Sequence, residues 1–242
     1  MAIPPYLHPF VVPVAEWPRQ REGSIDVYRP AEPGGDPLPV VVFVHGGPLP
    51  PGLEVGPRDW PIYLGYGALA AGSGVVGVTV EHRLQSTLEY ATAAADVADA
   101  VTQSRELPGV DPDRVALWFF SGGGLLSADW LRKPPPWLRC VALTYPILSP
   151  PPGWGVDEKF DPADAVATVG GLPVLLTRVG RERPEFAATV EAFTAAAREH
   201  EVDLEVIDVP NGQHGFDTFD HTEESRDAVV EAMKWVTATL QK

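Results

Sequence analysis

The stretch Val115-Ala116-Leu117-Trp118-Phe119-Phe120-Ser121-Gly122-Gly123-Gly124 decides the fold. Its first six residues are apolar without a break, which is how a strand buried on both faces reads. A serine and three glycines follow, and the spacing over Gly123–Leu131 predicts a helix. A strand that turns sharply into a helix through such residues has two readings. The serine hydroxyl stands clear of the backbone on a strained turn, the small neighbours let strand and helix pack, and the helix N-terminus offers its amides and dipole to a developing oxyanion. Alternatively the glycines form a plain turn or a phosphate cradle. The stretch alone leaves the two level.

Working outward, similar apolar runs occur at Val40–Val44, Val75–Val80, Cys140–Thr144, Val174–Thr177 and Leu204–Val209, with a weaker one at Ile25–Tyr28. Glu205 and Asp208 interrupt the last strong run, which places it nearer a sheet edge. Between the runs lie segments with helical spacing. Leu88–Arg105 is Ala-rich along one side. Pro184–His200 opens with a proline in its first turn. Thr222–Leu240 has a capping threonine followed by Glu223 and Glu224. Strand–helix alternation of this kind predicts an α/β fold, a mainly parallel twisted sheet with helices on both faces. One domain is expected over residues 1–242, with an irregular N-terminal segment at 1–23. The segment 149–161 reads as a short cap-like loop, which leaves no room for a large lid domain.

Composition narrows the function classes. Eighteen Lys+Arg against 33 Asp+Glu give a net charge of −15, which repels nucleic acid and anionic membranes. Apolar residues at 45% and charged residues at 21% exclude disorder as the main state. The single cysteine, Cys140, rules out an intramolecular disulfide and a multi-cysteine metal site, and it sits in an apolar run as a small buried hydrophobe. Met1–Trp17 has no basic region and is broken by Pro4, Pro5, Pro9 and Pro13, so it does not read as a signal peptide. No stretch of about 18 uninterrupted apolar residues suggests a membrane span. The expected compartment is the cytoplasm.

Ligands in such folds bind at the carboxyl ends of the strands. After Val40–Val44 comes His45-Gly46-Gly47-Pro48. Its glycines let the backbone approach a substrate; Pro48 has no N–H, so the donor of an oxyanion hole is Gly46 or Gly47, together with Gly122. His45 reads as a brace for this loop. After Leu204–Val209 comes Gly212-Gln213-His214-Gly215-Phe216-Asp217, where a general base belongs. The acid is expected after Val174–Thr177, in Arg178-Val179-Gly180-Arg181-Glu182-Arg183-Pro184-Glu185. Glu182 is best placed and Glu185 second; Asp157, Asp161 and Asp164 are weaker alternatives. The rival reading of Glu182 is a surface ion pair with Arg181 or Arg183. The order Ser121, Glu182, His214 is the order of serine, acid and histidine in one known fold. Pro48, Trp60 and Trp154 are candidates for the walls of an apolar pocket, or for plain packing. An Arg181/Arg183 pair offers local attraction for an anionic substrate.

These residues resemble the α/β-hydrolase superfamily, and within it small esterases, acylpeptidase-like and dienelactone-hydrolase-like members. The resemblance runs from about Val40 to Leu240. It rests on Val44-His45-Gly46-Gly47, Glu81-His82-Arg83-Leu84, Leu117–Gly124 and Gly212–Asp217. It implies a serine hydrolase acting on a carboxylic ester or related acyl bond of a small molecule, with Ser121, His214 and Glu182 as triad and no metal or organic cofactor. Acyl transfer, lactone chemistry and a catalytically inactive small-molecule binder are the alternatives. Arg83 is expected to be structural. The implied partner is a small-molecule acyl substrate, not nucleic acid or membrane; a homo-oligomer stays open. Two positions depart from the family pattern. Phe119 stands where Gly-x-Ser-x-Gly has its first glycine, which predicts crowding at the turn, and the acid is Glu where many relatives have Asp.

Overall fold

The computed structural model describes residues 3–31 and 34–242. The first two residues of the N-terminal segment discussed above lie outside them. Alternate residues of the central strands go to opposite sides. On β3 (Leu38–Val44) and β5 (Val110–Phe120), Val40, Val42, Val44, Val115, Leu117 and Phe119 enter one apolar cluster. Val41, Phe43, Ala116, Trp118 and Phe120 enter the other. Both faces are therefore dry, which is why these runs carry no polar alternation. The buried Trp118 indole donates to the Thr144 hydroxyl at 2.8 Å, so its one polar atom is satisfied.

Among the described residues eight strands form one sheet in the order β1-β2-β4-β3-β5-β6-β7-β8. The others are β1 (Arg19–Glu22), β2 (Ile25–Tyr28), β4 (Val76–Val80), β6 (Leu138–Thr144), β7 (Val174–Arg181) and β8 (Leu204–Gln213). From β4 through β8 every pairing is parallel, while β1 and β2 form an antiparallel edge. The interrupted run became β8, at the opposite edge. Helices α2 (Tyr90–Arg105), α3 (Ala128–Arg132) and α5 (Pro184–Glu199) cover one face. Helices α1 (Pro61–Gly72) and α7 (Glu223–Leu240) cover the other. Short helices α4 (Pro162–Ala165) and α6 (Phe216–Phe219) sit in the connections. Thr222 caps α7 by accepting from the Ser225 N–H at 3.1 Å.

Several elements differ from expectation. The segment 1–23 is not irregular throughout, because it contains a 3₁₀ turn at Pro5–Leu7 and the strand β1. Strand β1, Arg-Gln-Arg-Glu, carries no apolar pattern and is held by charge. Asp26 is fully buried on β2, and its carboxylate accepts from Arg19 and Arg21, each at 2.8 Å, and from Arg58 at 3.0 Å. Helix α1 is not among the segments with helical spacing named above. Gly65 is required by the Phe10 ring and Gly67 by the Tyr28 ring; a Cβ at either would lie 2.2 Å and 2.5 Å from those side chains. The helix predicted over Gly123–Leu131 is a 3₁₀ run, Ser121–Ser127, that passes into α3.

Candidate active site

The elbow is built by close approach of three backbones. Ser121 follows β5 directly with φ of +50°, a left-handed conformation that costs a non-glycine residue of order 1–3 kcal/mol. What holds it is visible at the next two positions. A Cβ on Gly122 would fall 1.8 Å from the Gly47 carbonyl oxygen, and one on Gly123 would fall 2.4 Å from that of His45. Only glycines let the loop after β3 pass this near the serine. The crowding expected from Phe119 does not arise. Its side chain is fully buried on the α2/α3 side of the sheet, in the apolar cluster with Leu125 and Tyr90.

The acid and the histidine arrive together because two strands run on past their apolar runs. β7 and β8 stay paired through a bulge to Arg181 opposite Gln213. The next residue on each is Glu182 and His214. The His214 Nδ1 lies 2.6 Å from Glu182 Oε2, and its Nε2 lies 2.6 Å from Ser121 Oγ. The Glu182 side chain is 4% exposed. Its other oxygen accepts from the Arg183 backbone N–H at 2.8 Å, so it is not a surface pair with a neighbouring guanidinium. Glu185 is exposed in the first turn of α5. Asp157 and Asp161 cap short helical turns, and Asp164 faces Arg132 at 3.7 Å; none meets His214.

The loop carrying His214 is fixed on both sides. Gln213 donates to Asp220 through its backbone at 2.8 Å and its side chain at 2.6 Å. Asp217 is fully buried and accepts from the Tyr66 and Tyr145 hydroxyls at 2.9 Å. Burial outweighs those two donors and pushes the Asp217 carboxyl up to about 7. The Tyr145 and Phe186 rings lie 5.0 and 5.7 Å from the imidazole.

His45 is a brace, as its sequence context suggested. Its Nδ1–H donates to the Gly46 carbonyl at 2.6 Å. His82 stacks on it at 3.6 Å and donates through Nε2 to the His45 carbonyl at 3.0 Å. Burial lowers both imidazoles, His82 to about 4, so the pair is neutral at pH 7. Arg83 is structural: it pairs with Asp96 at 2.7 Å. Of the glycines named for the oxyanion hole, Gly46 directs its N–H to the Tyr63 hydroxyl at 3.3 Å. The amides of Gly47 and Gly122 have no acceptor among the described residues.

Ser121, His214, Gly46 and Gly47 open into a cavity of about 560 Å³. Pro48, Trp60 and Trp154, named from sequence, all line it. The sequence did not point to its other walls. Pro5 and Tyr6 reach it from the N-terminal segment, with Tyr6 stacked on Trp60 at 4.9 Å. Tyr63, Tyr145, Phe186 and Phe219 also line it. No local pattern distinguishes such aromatics from core residues. Arg183 lies at the same cavity, 5.1 Å over the Phe186 ring.

No family model matches the chain, and no curated protein matches it. Solved structures do. A thermostable esterase from Pseudomonas putida ECU1011 superposes with a TM-score of 0.75 at 20% identity, covering 96% of this chain and 86% of that one. An esterase from Pyrobaculum calidifontis gives 0.68 at 21% identity, covering 93% and 86%. Esterase 2 of Thermogutta terrifontis, phosphoramylated by tabun, gives 0.66 at 19% identity, covering 95% and 93%. The chain has the α/β-hydrolase fold that these esterases share.

Proposed function

We propose that this chain is a serine hydrolase that cleaves carboxylic esters of small molecules through an acyl-enzyme on Ser121. The observation that carries this is the continuous line Ser121 Oγ, His214, Glu182, with both contacts at 2.6 Å. Glu182 fixes the proton of the neutral imidazole on Nδ1, which leaves Nε2 free to accept from the serine. Ser121 Oγ attacks the acyl carbon as its proton passes to Nε2. The imidazolium, stabilised by the buried carboxylate, then protonates the departing alcohol. Water repeats the cycle on the acyl-enzyme, and Ser121 is regenerated with release of the acid.

The oxyanion is met by the free amides of Gly122, at the helical turn after the serine, and of Gly47 rather than Gly46. The aromatic lining suits an apolar or aryl group on the substrate. No helix among the described residues is long and apolar enough to cross a membrane.

The fold neighbour phosphoramylated by tabun suggests the test. A fluorophosphonate probe is expected to label Ser121, and Ser121→Ala to abolish both labelling and hydrolysis of 4-nitrophenyl butyrate. Hydrolysis that survives in Ser121→Ala overturns the mechanism. Labelling without turnover of simple esters redirects it to acyl transfer or lactone chemistry.

A further inference from the structure

We propose that the Tyr63 hydroxyl is a third oxyanion-binding group of this site, donating a hydrogen bond to the carbonyl oxygen as it becomes negative. The inference rests on the ester-hydrolase reading above and adds a residue to it.

Tyr63 lies in the first turn of α1, is 5% exposed, and lines the cavity beside Ser121, Gly46, Gly47 and His214. Its oxygen accepts from the Gly46 N–H at 3.3 Å. That contact uses a lone pair and leaves the hydroxyl proton without an acceptor among the described residues. A buried donor left unpaired costs about 1–3 kcal/mol, and a group that reaches this cavity is the partner within its range.

The place of the hydroxyl in the site follows from its neighbour. Gly46 abuts the nucleophile: a Cβ built on it would lie 2.9 Å from Ser121 Cβ and 3.4 Å from Ser121 Oγ. The hydroxyl is thus one hydrogen bond from the residue in contact with the serine. The loop after β3 also needs a substitute donor. The Gly46 amide is occupied, Pro48 has no N–H, and Gly47 alone remains from that loop.

The ring is also held by packing that does not involve the hydroxyl. It packs edge-on against Phe120 with centroids 5.5 Å apart and planes at 87°. Burial and the nearby Asp217 carboxylate raise the phenol far above its ordinary value. The group therefore stays protonated, and it acts by donating a hydrogen bond with its proton retained throughout.

Tyr63→Phe keeps the ring and removes the donor. The variant also takes the acceptor from the Gly46 N–H, so it is expected to fold with a small drop in melting temperature and to lose about 10²-fold in kcat with KM little changed. The discriminating readout is inhibitor affinity. A trifluoromethyl ketone that forms a tetrahedral adduct on Ser121 should weaken by the same factor as kcat. The matching alcohol, which forms no adduct, should bind as before. A Phe variant with kcat within about threefold of wild type overturns the proposal. So does equal weakening of ketone and alcohol, which would mean that the hydroxyl only holds the loop. Wild type and Ser121→Ala are run alongside. Absence of wild-type turnover removes the ester-hydrolase reading and this one together, whereas turnover unaffected by Tyr63→Phe removes this one alone.

Discussion

Replacing Glu182 by glutamine tests the site through a consequence of its hydrogen bonds. One Glu182 oxygen accepts from the Arg183 N–H at 2.8 Å, and the other faces His214 Nδ1 at 2.6 Å. A glutamine has one acceptor and one donor for these two places. Arg183 offers only an N–H, so the amide oxygen turns to it and the amide nitrogen turns to His214. Nδ1 must then accept, which moves the imidazole proton to Nε2, 2.6 Å from Ser121 Oγ. The base then presents a donor where it has to accept. Loss of an oriented carboxylate with the wrong tautomer costs about 10⁴ in kcat, or about 5.5 kcal/mol of barrier. Glu182→Ala removes the charge but imposes no tautomer, so it is expected to lose less than glutamine does. Glu185→Gln, exposed on α5, is expected to match wild type. The assay is the initial rate on 4-nitrophenyl butyrate, with folding checked by circular dichroism. Glutamine at 182 with more than about a tenth of wild-type kcat would refute the assignment. So would an alanine variant slower than the glutamine one.

Three further outcomes are expected. Gly122→Ala places a Cβ 1.8 Å from the Gly47 carbonyl oxygen, so the elbow must open; a loss of about 1–3 kcal/mol or more in chemical denaturation, with activity abolished, checks this. Asp217 has its folded carboxyl raised to about 7 from 3.8, so the folded state binds more protons than the unfolded one across that window, and its stability contribution is full below about pH 4 and is lost as pH rises through 7. Relative to wild type, Asp217→Asn should flatten that pH dependence by up to about 4 kcal/mol, measured by urea unfolding at pH 4 and pH 8; parallel curves for the two proteins would contradict it. Arg183 is the one guanidinium among the described residues lining the cavity, so Arg183→Glu should lower kcat/KM for 4-acetoxybenzoate about tenfold more than for the neutral 4-acetoxybenzamide; an unchanged ratio would take Arg183 out of substrate selection.

What the sequence made legible follows from where apolar period and chemistry coincide. The run Val115–Phe120 is dry on both faces and ends at the serine, so strand and nucleophile are announced by the same residues. Helix α1 shows the reverse. Glycine is a poor helix former, yet Gly65 and Gly67 are needed because Phe10 and Tyr28, distant in sequence, press onto the helix; Tyr63 was hidden with it. The acid–histidine pair is the most informative case. The apolar runs read from sequence stop at Thr177 and Val209, but the ladder continues from Arg178 opposite Asp208 and Val179 opposite Val209, across a bulge that holds Gly180, Pro210 and Asn211, to Arg181 opposite Gln213. A Cβ at Gly180 would lie 2.2 Å from the Pro210 carbonyl oxygen, so a glycine that looks like a loop residue is what keeps the two strands together. These extensions leave the apolar core for the cavity, and the buried Glu182 is tolerated there because both its oxygens are hydrogen-bonded. The loss of apolar period at the strand ends therefore marks the region where the backbone still imposes strand geometry while the side chains are free to carry charge. Glu182 and His214 stand at the end of that region, which gives a carboxylate and an imidazole the rigid spacing that a flexible loop could not hold to 2.6 Å.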